Sequence, residues 1–143
     1  SSVARSRRHN HALAEIVPPT GESIAALIRA LQDENDWVRR HAADALGTLG
    51  PAAGEATDAL AGLLQDEKPY VRINAATALM KLGPAASRGV PALGAALWDS
   101  DRYTRGFAAL ALRHIGTREA TEILMDTLLI ERWCPITNVK TPY

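Results

Sequence analysis

One cysteine, 5% aromatic residues and no net charge are what this 143-residue chain has least of, and each shortage excludes something. The lone Cys134 excludes an internal disulfide framework and any zinc site built on several cysteines. Sixteen basic side chains balance sixteen acidic ones, which argues against a nucleic-acid partner held by bulk electrostatics. No uninterrupted apolar run approaches the roughly 20 residues that a membrane helix needs, so no membrane partner is expected. Nucleophile elbows, phosphate-binding glycine loops, zinc-protease helices and calcium loops are all missing. No catalytic residue, metal ligand or cofactor is therefore expected.

What is present points to a folded domain. Hydrophobic residues make up 47% of the chain, enough to offset conformational entropy by burial. Alanine and leucine dominate, which suits closely packed helices better than sheets. The first residues, Ser1-Ser2, carry no methionine and no signal-peptide core, so an excised piece or the companion of a larger protein is expected. Lack of disulfides and of an export signal makes the cytoplasm the expected compartment.

A repeat is written three times at an offset of 33 residues. Asp33, Trp37-Val38-Arg39, Ala42-Ala43, Ala45-Leu46 and Leu49-Gly50-Pro51 form the first copy. Asp66, Tyr70-Val71-Arg72, Ala75-Ala76, Ala78-Leu79 and Leu82-Gly83-Pro84 form the second. The third is Asp99, Tyr103-Thr104-Arg105, Ala108-Ala109, Ala111-Leu112 and Ile115-Gly116. One further step back lands on Leu13, Ile16 and Pro18, which predicts half a repeat at the N-terminus.

Each repeat reads as two helices. The second runs from about Asp36 to Leu49, with Val38, Ala42, Ala45, Leu46 and Leu49 on one stripe. Asn35 and Asp101 suit N-caps, Pro69 suits a first helical turn, and Gly50, Gly83 and Gly116 suit left-handed C-caps. First helices are expected over about Glu22–Leu31, Glu55–Gln65 and Val90–Trp98, with a last one over about 119–131. Their buried stripe would be Leu27 and Leu31, Leu60 and Leu64, Leu93 and Leu97, then Leu124 and Leu128. No strand pattern occurs, and the expected fold class is an all-α solenoid.

The run Asp-x-x-x-x-Val-Arg-x-x-Ala-Ala-x-Ala-Leu-x-x-Leu-Gly resembles the short HEAT-like repeats of the phycobilin-lyase type. It stands at Asp33–Gly50 and Asp66–Gly83, more loosely at Asp99–Gly116, and the resemblance covers most of Ala12 to Ile130. It implies a right-handed α-α superhelix of about three and a half two-helix repeats, followed by a C-terminal tail. The solenoid would occupy 1–132, with a half repeat over 1–18, repeats over about 19–51, 52–84 and 85–117, and a tail over 133–143. Deoxyhypusine hydroxylase, another protein of HEAT-like repeats, holds iron with His-Glu pairs. Here Ala42 follows His41 and Ile115 follows His114, so that chemistry is excluded.

Two sets of residues stand out. Arg39, Arg72 and Arg105 recur with Asp33, Asp66 and Asp99, and are expected to form structural ion pairs that fix the stacking of repeats. The other set is a candidate partner-binding surface. The resemblance implies that second helices line a concave groove, where 100° per residue would place Arg40, Ile73 and Gly106, then Asp44, Thr77 and Leu110, then Gly47, Met80 and Arg113. Trp37, Tyr70 and Tyr103 would flank them, followed by His41, Asn74 and Phe107. Aromatics with a polar edge beside apolar Ile73, Met80, Phe107 and Leu110 suit a protein partner or a flat hydrophobic ligand.

The expected function is a non-catalytic protein–protein interaction module. A bilin-handling lyase or chaperone-like subunit is the alternative that the resemblance allows, since aromatics and arginines could hold a planar ring and its carboxylates. A regulatory domain appended to a larger enzyme is a third. Arg5, Arg7, Arg8, His9 and His11 form a small basic cluster read as a solvated face, and Cys134 is read as a packed or exposed thiol. Trp133 would fold back as an end cap. Ala12, Leu13 and Ile16 lack a covering first helix, so a missing upstream segment, an adjoining domain or a homodimer through an uncapped solenoid end is expected.

Overall fold

Alanine, leucine and arginine fill the stretch after Asn35, and the Asn35 side chain accepts the Trp37 amide at 2.9 Å to close its first turn. That stretch is a 14-residue helix, Asp36–Leu49, the bounds the sequence predicts. The computed structural model describes residues 20–133, and their side chains as far as Ile130. The predicted half repeat with Leu13, Ile16 and Pro18, the basic cluster from Arg5 to His11, Cys134, the C-terminal tail and the Trp133 side chain lie outside the described residues.

Helix α1 (Gly21–Ala30) is followed by α2 (Asp36–Leu49), α3 (Thr57–Leu63) by α4 (Pro69–Leu82), and α5 (Val90–Ala96) by α6 (Arg102–Ile115). The last is α7 (Arg118–Trp133), and the described residues contain no strand. Helices α2, α4 and α6 lie side by side as one layer. In the other layer α1, α3 and α5 meet mainly through the 3-10 segments Gly50–Ala56 and Gly83–Gly89. The chain is an all-α superhelical stack, as its sequence predicts.

The first of these 3-10 segments takes in Glu55 and Ala56, the opening residues expected of α3, whereas α5 begins at Val90 as expected. Pro51 and Pro84 lack an amide hydrogen, and the backbone kinks at Ala53 and Ala86, where φ is −94° at both. The same prolines shape the caps before them. A residue preceding proline avoids helical ψ, so Gly50 and Gly83 combine φ of 65° and 61° with ψ of −143° and −139°. Gly116 precedes Thr117 and takes the expected left-handed cap, with φ 66° and ψ 13°. The first two are thus positive-φ caps of a different kind, which glycine adopts without steric cost.

Asp101 caps α6, accepting the Thr104 amide at 2.8 Å and the Thr104 hydroxyl at 3.0 Å. The amide bond, then the hydroxyl bond and the nearby Arg72 charge, hold this carboxyl below the usual aspartate range against an opposing burial. A depressed folded-state pKa contributes stability that is present above the unfolded value and lost as pH falls through the folded one. Asp101→Asn keeps an acceptor at the cap but removes the titrating group. The Thr104 amide proton shift, followed by NMR from about pH 6 to about pH 3, is expected to step on the acid side in the parent and to stay flat in the variant.

Leu46, Leu79 and Leu112 are fully buried in successive second helices, as are Leu60 and Leu93 in the other layer. Leu31, Leu64 and Leu97 are buried as predicted, while Leu27 is half-buried. The stripe fails on α7. Leu124 is half-buried and packs on the core, but Leu128 is 59% exposed, because no second helix follows α7 among the described residues.

Candidate functional site

The repeated arginines and aspartates form a ladder between repeats. Arg39 Nε donates to Asp66 Oδ2 at 2.7 Å and its Nη2 to Oδ1 at 3.2 Å, while Nη1 donates to the Asp33 and Glu34 carbonyls. Arg72 repeats this one step on: Nη2 donates to Asp99 Oδ1 at 3.1 Å and Nη1 to the Asp66 carbonyl at 2.8 Å. Its Nε lies 3.0 Å from Asp99 Oδ2 but off the hydrogen-bond axis, so the second rung is geometrically weaker than the first. Asp66 and Asp99 each also close a turn, accepting the amides of Lys68 and Asp101. One carboxylate therefore shapes its own loop and holds the previous repeat. The Asp66 hydrogen bond raises the Arg39 pKa despite an opposing burial.

Arg105 ends the ladder. It donates to the Asp99 and Ser100 carbonyls, but among the described residues no carboxylate lies against it. The register that aligns Leu128 with Leu97 puts Ile130 where an aspartate would stand.

On the second helices, the exposed face is displaced from the predicted one. Residues 37, 40, 41, 44 and 48 are exposed on α2, whereas Gly47 is buried. Gly47, expected in the groove, instead sits at the joint between α2 and α4, where a Cβ would lie 3.0 Å from the Ala78 Cα. Met80, one repeat on, is half-buried and packs on the core; Arg113, at the end of the stack, is exposed. A second helix packs against its own first helix and against a neighbouring second helix. Its buried arc is consequently wider, and centred differently, than a single stripe implies. Position 48, which the same wheel places on the flank, is exposed in all three second helices, as Thr48, Lys81 and His114. The buried alanines Ala43 and Ala76, small where helices must approach, were the available signal.

The remaining candidates differ in exposure. Trp37 is 61% exposed, Tyr103 54%, Leu110 42% and Tyr70 40%, and Arg40 and Asp44 are also exposed. Ile73 and Phe107 are half-buried, and Phe107 packs on the core, so each offers only part of its apolar surface. The aromatics are held by their neighbours. Trp37 meets His41 with ring centroids 4.0 Å apart, and the Arg40 guanidinium carbon lies 5.7 Å from the Tyr70 ring centre of the next repeat. Arg102 covers the Tyr103 ring at 4.8 Å and donates to its hydroxyl at 2.8 Å.

Two open clefts lie elsewhere. One of about 450 Å³ runs along α7 beside Met125, and another of about 300 Å³ lies between α3 and α5, next to Asp66 and Arg72. Neither includes a residue of the aromatic face. Among the described residues no cluster of histidine, cysteine or carboxylate side chains could hold a metal ion, and no helix is long and apolar enough to cross a membrane.

Two stacked layers, a repeated ion-pair rung and a repeated aromatic position are now joined by a family match: HEAT repeats match over residues 10–61, 24–88 and 57–133. The chain belongs to the HEAT repeat family. Three crystal structures of engineered proteins from the Northeast Structural Genomics Consortium resemble this HEAT repeat chain. The first is 26% identical with a TM-score of 0.61, over 85% of this chain and 61% of that one. Another is 25% identical with a TM-score of 0.60, over 87% of this chain and 38% of that one. In the third, at 22% identity and a TM-score of 0.62 over 88% of this chain and 64% of that one, the likeness is of fold alone. This chain thus spans less than two thirds of the length of each. No curated protein sequence matches it. Stacked HEAT repeats present extended surfaces, and a protein-interaction scaffold is the role these repeats suggest.

Proposed function

We propose that this HEAT repeat chain is a non-catalytic interaction module that binds a protein through the concave face of α2, α4 and α6. The observation that carries the reading is the row of exposed aromatics Trp37, Tyr70 and Tyr103, one per repeat, beside exposed Leu110. Large exposed aromatics in register are anchors of the kind that dominate binding energy. Their packing against His41, Arg40 and Arg102 limits the entropy lost on docking. The ladder Asp33, Arg39, Asp66, Arg72, Asp99 and Arg105 builds the scaffold beneath. Within the HEAT repeats, the run Asp66–Gly83 keeps the phycobilin-lyase subtype as our reading of the repeat.

The test is capture from a lysate of the source cells with the parent chain and with a Trp37→Ala, Tyr70→Ala, Tyr103→Ala variant. Because all three side chains are exposed, the variant is expected to keep its helical circular dichroism. Retention of the partner is expected to fall about ten-fold or more, the scale of losing one or two hot spots. Equal retention by both chains would sink the reading.

A second reading rests on α7, where Met125, Leu128, Leu129 and Ile130 are all exposed. An adjoining domain, or a second copy of the chain, seated on this end would cover them. Light scattering that reports a monomer at every concentration would remove the second copy.

A further inference from the structure

The zero net charge conceals a segregation of charge between layers. Arg39 and Arg72 hold ladder carboxylates, Arg88 holds Asp58 at 3.1 Å, and Arg118 holds Glu122 at 2.9 Å. By contrast Arg40, Lys81, Arg102, Arg105 and Arg113, all exposed on the second helices, have no carboxylate partner among the described residues, Arg105 donating to loop carbonyls instead. Asp44 is the one exposed acid on those helices, and Asp36 is half-buried at the start of α2. The opposite layer holds more acids than bases, with Glu22, Glu55, Asp58, Glu119, Glu122 and Asp126 exposed there against Arg29, Arg88 and Arg118. Glu34 and Glu67 sit on the loops beyond the aromatic row and edge the face without entering it.

We infer that the partner's docking segment is an acidic peptide carrying apolar residues. This rests on the concave-face reading and specifies the chemistry of its ligand. Arg40 and Arg102 lie over aromatic rings, are exposed and have no carboxylate of their own among the described residues, so their guanidinium groups suit carboxylates of a partner. Lys81 lies with its stem against the Gly47 joint, so its ammonium is held at the middle of the stack. Leu110, with the partly exposed Ile73 and Phe107, supplies the apolar strip between these cations. A basic segment would meet the unpaired cations Arg40, Lys81 and Arg102 across this face and be repelled.

The experiment pans a phage library of random peptides, about sixteen residues long to span three second helices, against the immobilised full chain. Enriched peptides are expected to carry net negative charge with apolar residues interspersed. Their affinity is expected to fall about ten-fold with added salt, and about ten-fold in a Lys81→Glu, Arg113→Glu variant. If that variant loses its circular dichroism, Lys81→Gln with Arg113→Gln replaces it, and the salt dependence of the parent stands independently. Enrichment without acidic bias, or no enrichment, overturns the inference. Peptides lost in the triple aromatic variant but indifferent to the charge changes would leave the concave face standing and the acidic partner refuted. Peptides that bind all variants alike would refute the face itself.

Discussion

Leu79→Ala is expected to destabilise the chain by about 3–5 kcal/mol, whereas Leu128→Ala is expected to change stability by about 0.5 kcal/mol or less. Both leucines lie on apolar stripes of the repeat, and sequence reading treats them alike. Leu79 is fully buried in the middle second helix, with its side chain near the Gly89 turn. Truncating it leaves a cavity at the point where the second and third repeats meet. Leu128 is 59% exposed and already in water, so little is lost. Urea denaturation of both variants, followed by circular dichroism, tests the pair. Similar midpoints would mean that Leu128 is covered in solution.

Asp99→Ala is expected to cost about 2–3 kcal/mol. The substitution removes the acceptor that closes the Asp101 turn and strands the Arg72 guanidinium, whose side chain is only 12% exposed. Asp66→Ala should be more damaging still, because its rung has both Nε and Nη2 on the carboxylate in good geometry. In a stack stabilised by nearest-neighbour contacts the loss falls on a single joint. Thermal unfolding is therefore expected to broaden as well as shift. Replacing both members, as Arg72→Met with Asp99→Asn, should recover part of the loss, since no buried charge is left unpaired. A double variant no better than the singles would show that the carboxylate acts through its loop alone.

Much of this architecture was legible from the 33-residue offset. Asp36–Leu49 has the bounds that its cap, stripe and glycine predict, and the pairing of arginine with aspartate was legible for Arg39 and Arg72. Its direction was not: whether Arg39 reaches Asp33 or Asp66 depends on how repeats stack, and the guanidinium uses both, one by carbonyl and one by carboxylate. Gly47 was misplaced for a geometric reason. A helical wheel assumes one buried side, but each middle helix is clasped on two, which rotates its free arc. Leu128 fails differently, since the pattern of a stripe cannot say whether a neighbour arrives to cover it.

Gly47 has one more consequence. The joint between α2 and α4 is as close as a missing side chain permits, with Ala78 and the Lys81 stem filling the space. At the next joint the corresponding position holds Met80, a residue with real volume. The two joints therefore differ in tolerance: a side chain added at Gly47 would meet the Ala78 backbone, whereas the next joint already accommodates Met80.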